Sequence, residues 1–306
     1  MRNVPKPIFD YNVALLVGYY KKAATKIMNE IESSDITSLS TANSRVVLSE
    51  ISGVITDLDK ESRDWVKENI PKSARQGIAR SLVTTGVVET IQEAETIVKF
   101  NKLNRGMVEA AVADTYQDLA QVTQNIDRKT KAGLRRVFSE TAREQYTQGV
   151  TGTRTIKRET LNKMYKELDD TVNTGIIDAA GRKWRPETYV DVVAQEKMNQ
   201  AYFEANVNES IARGAFYGVI SSHGATDACR YHEGRIVKLT EDAPGDYPTI
   251  DELKSTNQIF HVRCRHHVST LRDVDMLPDS VLEKAEGQAE LGEKAVTAGG
   301  RDPDVK

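Results

Sequence analysis

Every histidine and every cysteine of this 306-residue chain falls between His223 and His267. Two short units organise them. Cys229-Arg-Tyr-His232 has the spacing C-x-x-H, and His261-Val-Arg-Cys264 has the spacing H-x-x-C. Two ligands separated by two residues can point at one ion from a tight turn. Two such turns make a Cys2His2 set that suits tetrahedral zinc, so Cys229, His232, His261 and Cys264 are the candidate ligands of one zinc ion. The 28 residues between the turns can be closed at modest entropic cost. His223 and His266 are alternative donors, and His267 is a further spare. Two other readings stand beside the metal site. One is a small core in which polar side chains are hydrogen-bonded and the thiols are buried. The other is catalysis, with Arg230, Arg263 and Arg265 acting on phosphates as in a metal-dependent nuclease or a related phosphate-acting enzyme. No carboxylate or asparagine pattern accompanies the cluster, so no catalytic residue is assigned and a non-enzyme is expected. P-loop, dinucleotide-fold and nucleophile-elbow patterns are absent.

These residues need elements to position them, and composition bounds the choice. The chain is 39% hydrophobic and 28% charged, with aromatics at 6%. Those values suit a soluble protein built from long helices better than a compact sheet protein. A formal charge of −3 gives no global attraction to nucleic acid. Two cysteines make no disulfide scaffold. The apolar patch Val13 to Tyr20 is too short and too interrupted for a signal peptide or a membrane span, so no membrane partner is expected.

Proline and periodicity divide the chain. Pro71 is the only proline between Pro7 and Pro186. Apolar residues recur at steps of three and four through Val13, Leu16, Val17, Tyr20, Ala24, Ile27 and Ile31. They do so again through Val47, Ile51, Val54, Ile55 and Leu58, and through Val108, Val112, Tyr116, Leu119, Val122 and Ile126. One more helix is expected from Ile156 to Asn173. The fold class is therefore a mainly α N-terminal region of long helices followed by a small α+β module. The expected divisions are an elongated helical domain at 1–174, a Cys/His-containing module at 175–275, and an acidic flexible tail at 276–306. Within the module, "AAGRKW" reads as a hairpin tip, and Pro186 opens a helix that Gly214 stops. "AFYGVISS", "GRIVKLT" and "HHVSTLR" read as strands. The tail reads as a loose helix fraying into disorder.

Charge is uneven. From Arg128 to Lys166 there are eleven Lys/Arg and three Glu, a surplus of eight. This is a solvated helix face, a docking patch for an acidic partner, or a surface for nucleic-acid backbone. Arg128, Arg135, Arg136, Arg154, Lys157 and Arg158 are the candidate contacts to double-stranded DNA. No base-reading motif accompanies them, so such contact would be independent of sequence.

The stretch from Gly181 to Leu271 resembles the C-terminal half of phage minor capsid (minor head) proteins, with a kinship to the phage Mu F-like head morphogenesis proteins. The resemblance is carried by Gly181 to Tyr189, Ser222–His223, Cys229 to His232, Gly234 to Val237, Tyr247–Pro248 and Arg263 to His266. The chain departs from that pattern at Arg263, where asparagine is usual. The resemblance implies a virion protein of the capsid interior, present in the host cytoplasm during assembly. It implies partners in the portal and other head proteins, and a role in head morphogenesis and in DNA packaging or ejection. Residues 8–100, whose apolar stripes exceed what a thin helical domain covers by itself, are the region expected to bind the portal or another head protein. Removing them is expected to leave the C-terminal module folded. A DNA- or partner-binding module recruited from a prophage is the remaining alternative.

Overall fold

The computed structural model describes residues 4–33, 41–148, 158–167, 176–177 and 181–305. The long helices are α1 (Asp10–Ser33), α2 (Thr41–Thr84), α4 (Lys102–Gln148) and α6 (Pro186–Ala212). Shorter helices are α3 (Ile91–Ile97), α5 (residues 158–167) and α7 (Ile250–Ser255), and α8 (Asp279–Ala298) closes the chain. Strands β1 (Ile176–Ile177) and β2 (Lys183–Trp184) form a two-residue antiparallel ladder. Strands β3 (Tyr217–Ile220), β4 (Ile236–Lys238) and β5 (Val268–Leu271) form an antiparallel sheet in the order β4-β3-β5. The protein is thus mainly α with a small α+β module toward its C-terminus.

Contacts divide the chain into two compact units. One gathers residues 1–8, 70–111 and 196–306; the other gathers 9–69 and 112–195. The boundaries fall inside α2, α4 and α6, and Pro71 lies just past the one in α2. This division differs from the linear cut at residue 174, because long helices carry the chain from one unit into the other.

The helical unit is held by the stripes the sequence displays. Val13, Leu16, Tyr20, Ala23, Ile27 and Ile31 are buried along α1. Ile27 and Ile31 join Val47, Ile51 and Ile55 of α2, Leu134, Val137 and Phe138 of α4, and Met164 of α5 in one cluster. Helix α5 lies antiparallel on the end of α4. Arg136 pairs with Glu167 at 3.0 Å, Lys163 with Glu144 at 2.6 Å, and Thr160 donates to Thr141 across 3.4 Å.

The other unit adds a polar seam that apolar periodicity does not reveal. Along α2, Ser73, Gly77 and Ser81 recur every four residues and face α6. The Ser73 hydroxyl donates to the Met198 carbonyl. A Cβ on Gly77 would overlap the carbonyl oxygen of Tyr202. The hydroxyls of Ser81 and Ser210 lie 2.8 Å apart. Ser210 donates to Thr270 of β5 across 2.9 Å, and Thr270 also meets Thr84 at 2.9 Å. Small side chains let the helix backbones approach, and hydroxyl pairs satisfy each other where water is excluded. Segment 70–84 is therefore core of this unit, so removing residues 8–100 would strip a wall from the module instead of leaving it folded.

The acidic C-terminal segment is likewise ordered. Where composition suggests a flexible tail, α8 runs for 20 residues with Ala285, Gly292 and Ala295 buried. Gly292 lies under the Arg235 guanidinium, where a Cβ would not fit. Ala228 then donates its backbone N–H to the Arg301 carbonyl, and Arg230 pairs with Asp302 at 2.8 Å. Small residues that look like disorder are here a close-packed face.

Candidate metal centre

Two turns build the centre. In the first, the Asp227 carboxylate accepts from the Cys229 N–H and caps a single 3-10 turn, Ala228–Tyr231. This turn buries Cys229. In the second, Thr249 and Glu252 form a capping box that starts α7. Beyond α7 the chain reverses through three residues with left-handed backbone, Asn257, Phe260 and Arg263, at φ of 57°, 56° and 64°. Left-handed conformations without glycine are uncommon and cluster where a site imposes them. Arg263 permits the Cys264 N–H to bond back to the His261 carbonyl at 2.8 Å. Phe260 anchors the loop on Phe203, with ring centroids 5.4 Å apart.

The turns bring three of the four expected ligands together. Ligand atoms of Cys229, His261 and Cys264 lie within 4.8 Å of one another. Cys229 Sγ is 3.1 Å from His261 Nε2 and 3.9 Å from Cys264 Sγ, and both cysteines are free thiols. The fourth, His232, is not among them. It is fully buried, and both its nitrogens are committed elsewhere. Arg235 donates to His232 Nδ1 at 3.2 Å, and His232 Nε2 donates to Gln258 Oε1 at 3.1 Å. Gln258 in turn donates to the carbonyls of Ala295 and Gly300. His232 therefore ties the first turn to α8. Burial, with Arg235 nearby, pushes its pKa down to about 4 against the Gln258 hydrogen bond, so it is neutral.

The alternative donors form a second group. His223, Glu233 and His266 place their ligand atoms within 4.8 Å of one another. The Glu233 carboxylate accepts from the N–H groups of His223 and Ala225, at 2.9 and 3.1 Å. It also accepts from Ser222 Oγ at 2.8 Å and His266 Nε2 at 3.1 Å. Burial alone would raise its pKa; these four donors hold it down at about 2. The rings of His223 and His266 stack 4.2 Å apart. His266 Nδ1 faces Cys264 Sγ at 3.3 Å and so bridges the two groups. A hydrogen bond from Cys229 holds the Cys264 thiol down at about 4 despite burial, with help from His266, and the same bond pushes Cys229 up. Burial pulls His266 down, yet Cys264 and Glu233 outweigh it and raise its pKa. His267 is driven down to about 3 by burial, and by Arg80 and Lys6.

Glu233, Asp227 and Gln258 are the residues that spacing did not single out. Glu233 and Asp227 supply the carboxylates for which no sequence pattern was visible. Their only signal is nearness in sequence: Glu233 follows His232, and Asp227 precedes Cys229 by two residues. A cleft of about 240 Å³, lined by His261, Cys264, His266, Lys6, Glu196 and Phe260 among others, opens onto the group.

The basic segment lies in the other unit. Arg128, Arg135 and Arg136 of α4 and Arg158 of α5 are exposed, while Leu134, Val137 and Phe138 of α4 are buried. Arg154 and Lys157 lie outside the described residues. Asp127 and Glu167, one residue beyond either end of the counted segment, pair with Lys131 and Arg136 at 2.8 and 3.0 Å. Local ion pairs thus absorb part of the positive surplus.

Among the described residues no helix is long and apolar enough to cross a membrane. Searches of curated proteins and of solved structures returned no match. A family model, phage minor capsid protein 2, matches residues 39–297. That span takes in the module with its two turns and reaches back through α2 and α4, helices the motif resemblance does not cover. A match of this extent makes the chain a member of the phage minor capsid protein 2 family.

Proposed function

We propose that the chain is a structural protein of a tailed-phage head that acts in head morphogenesis and in DNA packaging or ejection. The family match over residues 39–297 carries this reading, since a minor capsid protein associates with other head proteins as a virion component. Contact with the portal and sequence-independent contact with double-stranded DNA are the finer parts of the proposal. Arg128, Arg135 and Arg158, exposed on α4 and α5, support the DNA contact, because exposed guanidinium groups can neutralise phosphates and release counterions. Tyr11 and Leu15 are the proposed protein contact: they stand one turn apart on α1 and are 79% and 42% exposed. The Cys/His groups serve as a structural clamp in this account, and no turnover is assigned to them. Infection with phage in which this gene is disrupted tests the role. The expected result is a loss of DNA-filled heads or of DNA delivery, restored by the intact gene. Normal yields of infectious particles without the protein would overturn it.

A further inference from the structure

We propose that Cys229, His261 and Cys264 hold one zinc-class divalent cation, with His266 as the fourth donor and Glu233 as its supporting carboxylate. The first observation is geometric. A tetrahedral zinc has bonds of about 2.3 Å to sulfur and about 2.0–2.1 Å to nitrogen, which spaces two thiolates by roughly 3.8 Å and a thiolate and an imidazole by roughly 3.6 Å. Cys229, His261 and Cys264 gather within 4.8 Å of one another, with 3.9 Å between the two sulfurs and 3.1 Å from Cys229 Sγ to His261 Nε2; His266 Nδ1 stands just outside that group, 3.3 Å from Cys264 Sγ, and would close in on the ion.

The second observation is the chemistry of the donors. His261 Nδ1 lies 2.9 Å from the Val262 carbonyl, a contact that in one tautomer puts the proton on Nδ1 and leaves Nε2 with a lone pair. Arg301 can only donate to Nδ1, at 3.2 Å, and favours the other tautomer, so metal binding at Nε2 would move the proton to Nδ1. Glu233 accepts from His266 Nε2, which leaves Nδ1 directed at Cys264. Asp227 Oδ2 stands 3.2 Å from His261 Nε2. Two sulfurs, an imidazole nitrogen and a carboxylate oxygen therefore gather in one place, with the His266 ring beside Cys264. The Gln258 carbonyl, 3.2 Å from Cys229 Sγ, adds a further acceptor. Sulfur with imidazole selects zinc over magnesium or calcium.

The third observation concerns the surroundings. The carboxylate–histidine pair formed by Glu233 and His266 orients a ring as carboxylates orient metal-bound histidines. Glu233 is itself fixed by Ser222, His223 and Ala225. His232, the histidine that spacing favours, has neither nitrogen free and is excluded. The inference is independent of the role in the head.

The test uses the full-length chain, stripped with a chelator and refilled with zinc or cobalt(II). One metal per chain is expected. The cobalt form should show thiolate-to-metal charge transfer with the band intensities of a tetrahedral site. Zinc should protect both thiols from alkylation, and chelation should expose them again. Cys264→Ser and His266→Gln should each weaken zinc binding at least about tenfold. His232→Gln, compared per folded molecule, should keep the metal. Wild-type protein that folds, holds no zinc and leaves both thiols equally reactive with zinc present would overturn the site. Loss of metal in His232→Gln, or in Asp227→Asn with retention in His266→Gln, would overturn the ligand set.

Discussion

His232 and Gln258 are joined by a buried hydrogen bond of 3.1 Å, and Gln258 passes the connection on to the Ala295 carbonyl. Neutral His232 is the form this chain accepts, since Arg235 already donates to its other nitrogen. Its folded pKa of about 4 lies below the ordinary histidine value. The unfolded chain therefore binds more protons in the interval between them, and stability must fall as pH drops through it. In chelator, the melting temperature of the wild type should decline from about pH 6.5 toward about pH 4, by an amount corresponding to roughly 2–3 kcal/mol for this residue. His232→Gln should start lower and decline less steeply over the same interval. Parallel pH profiles for the two proteins would place the proton uptake elsewhere.

The seam between α2 and α6 gives a paired prediction. Gly77→Ala puts a methyl group into the Tyr202 carbonyl, so the helices must separate. Overpacking of this kind costs about 1–3 kcal/mol. Gly53→Ala, on the same helix with open space around it, should be neutral or stabilise by up to about 1 kcal/mol through helix propensity. Thermal melts of both variants decide. Equal melting points would mean that the seam is looser than it stands here.

DNA contact should depend steeply on salt. Replacing Arg128, Arg135 and Arg158 with Gln removes exposed charges while leaving the Arg136–Glu167 and Lys163–Glu144 pairs intact. The slope of log K against log salt should flatten by roughly 1 per lost phosphate contact, up to about 3. Fluorescence anisotropy on duplexes of unrelated sequence measures this. An unchanged slope would assign the basic face to a protein partner or to solvent.

Tyr11 and Leu15 test the protein contact without deleting a wall of the module. Tyr11→Ser with Leu15→Ser alters exposed side chains of α1, so the melting point should shift little. The copy number of the protein in assembled heads should fall. Heads that carry the double variant at the wild-type level would move the docking surface away from this end of α1.

Much of this architecture is written in local pattern. The stripe from Val13 to Ile31 is buried as its spacing demands, with Ala23 in the place expected for Ala24. The strands at 217–220, 236–238 and 268–271 fall where β-branched runs meet glycine and serine. The seam of Ser73, Ser81, Ser210 and Thr270 escapes such a reading, because it is made of polar residues that satisfy one another only after the chain has folded. Helix α8 escapes for a related reason, since Ala285, Gly292 and Ala295 form a face only against Arg235 and its neighbours. The Cys/His cluster was half legible. Spacing places Cys229 and His232 on one short turn, but it does not give the direction of a side chain. A partner 26 residues on, Gln258, takes His232 away, while Glu233 orients His266 across 33 residues.

The most direct measurement of the central claim is quantitative mass spectrometry of purified virions and of DNA-free heads, normalised to the major capsid protein. The account predicts that this chain is present in both, at a fixed copy number far below that of the major capsid protein. Its absence from both particles would contradict the assignment to the head.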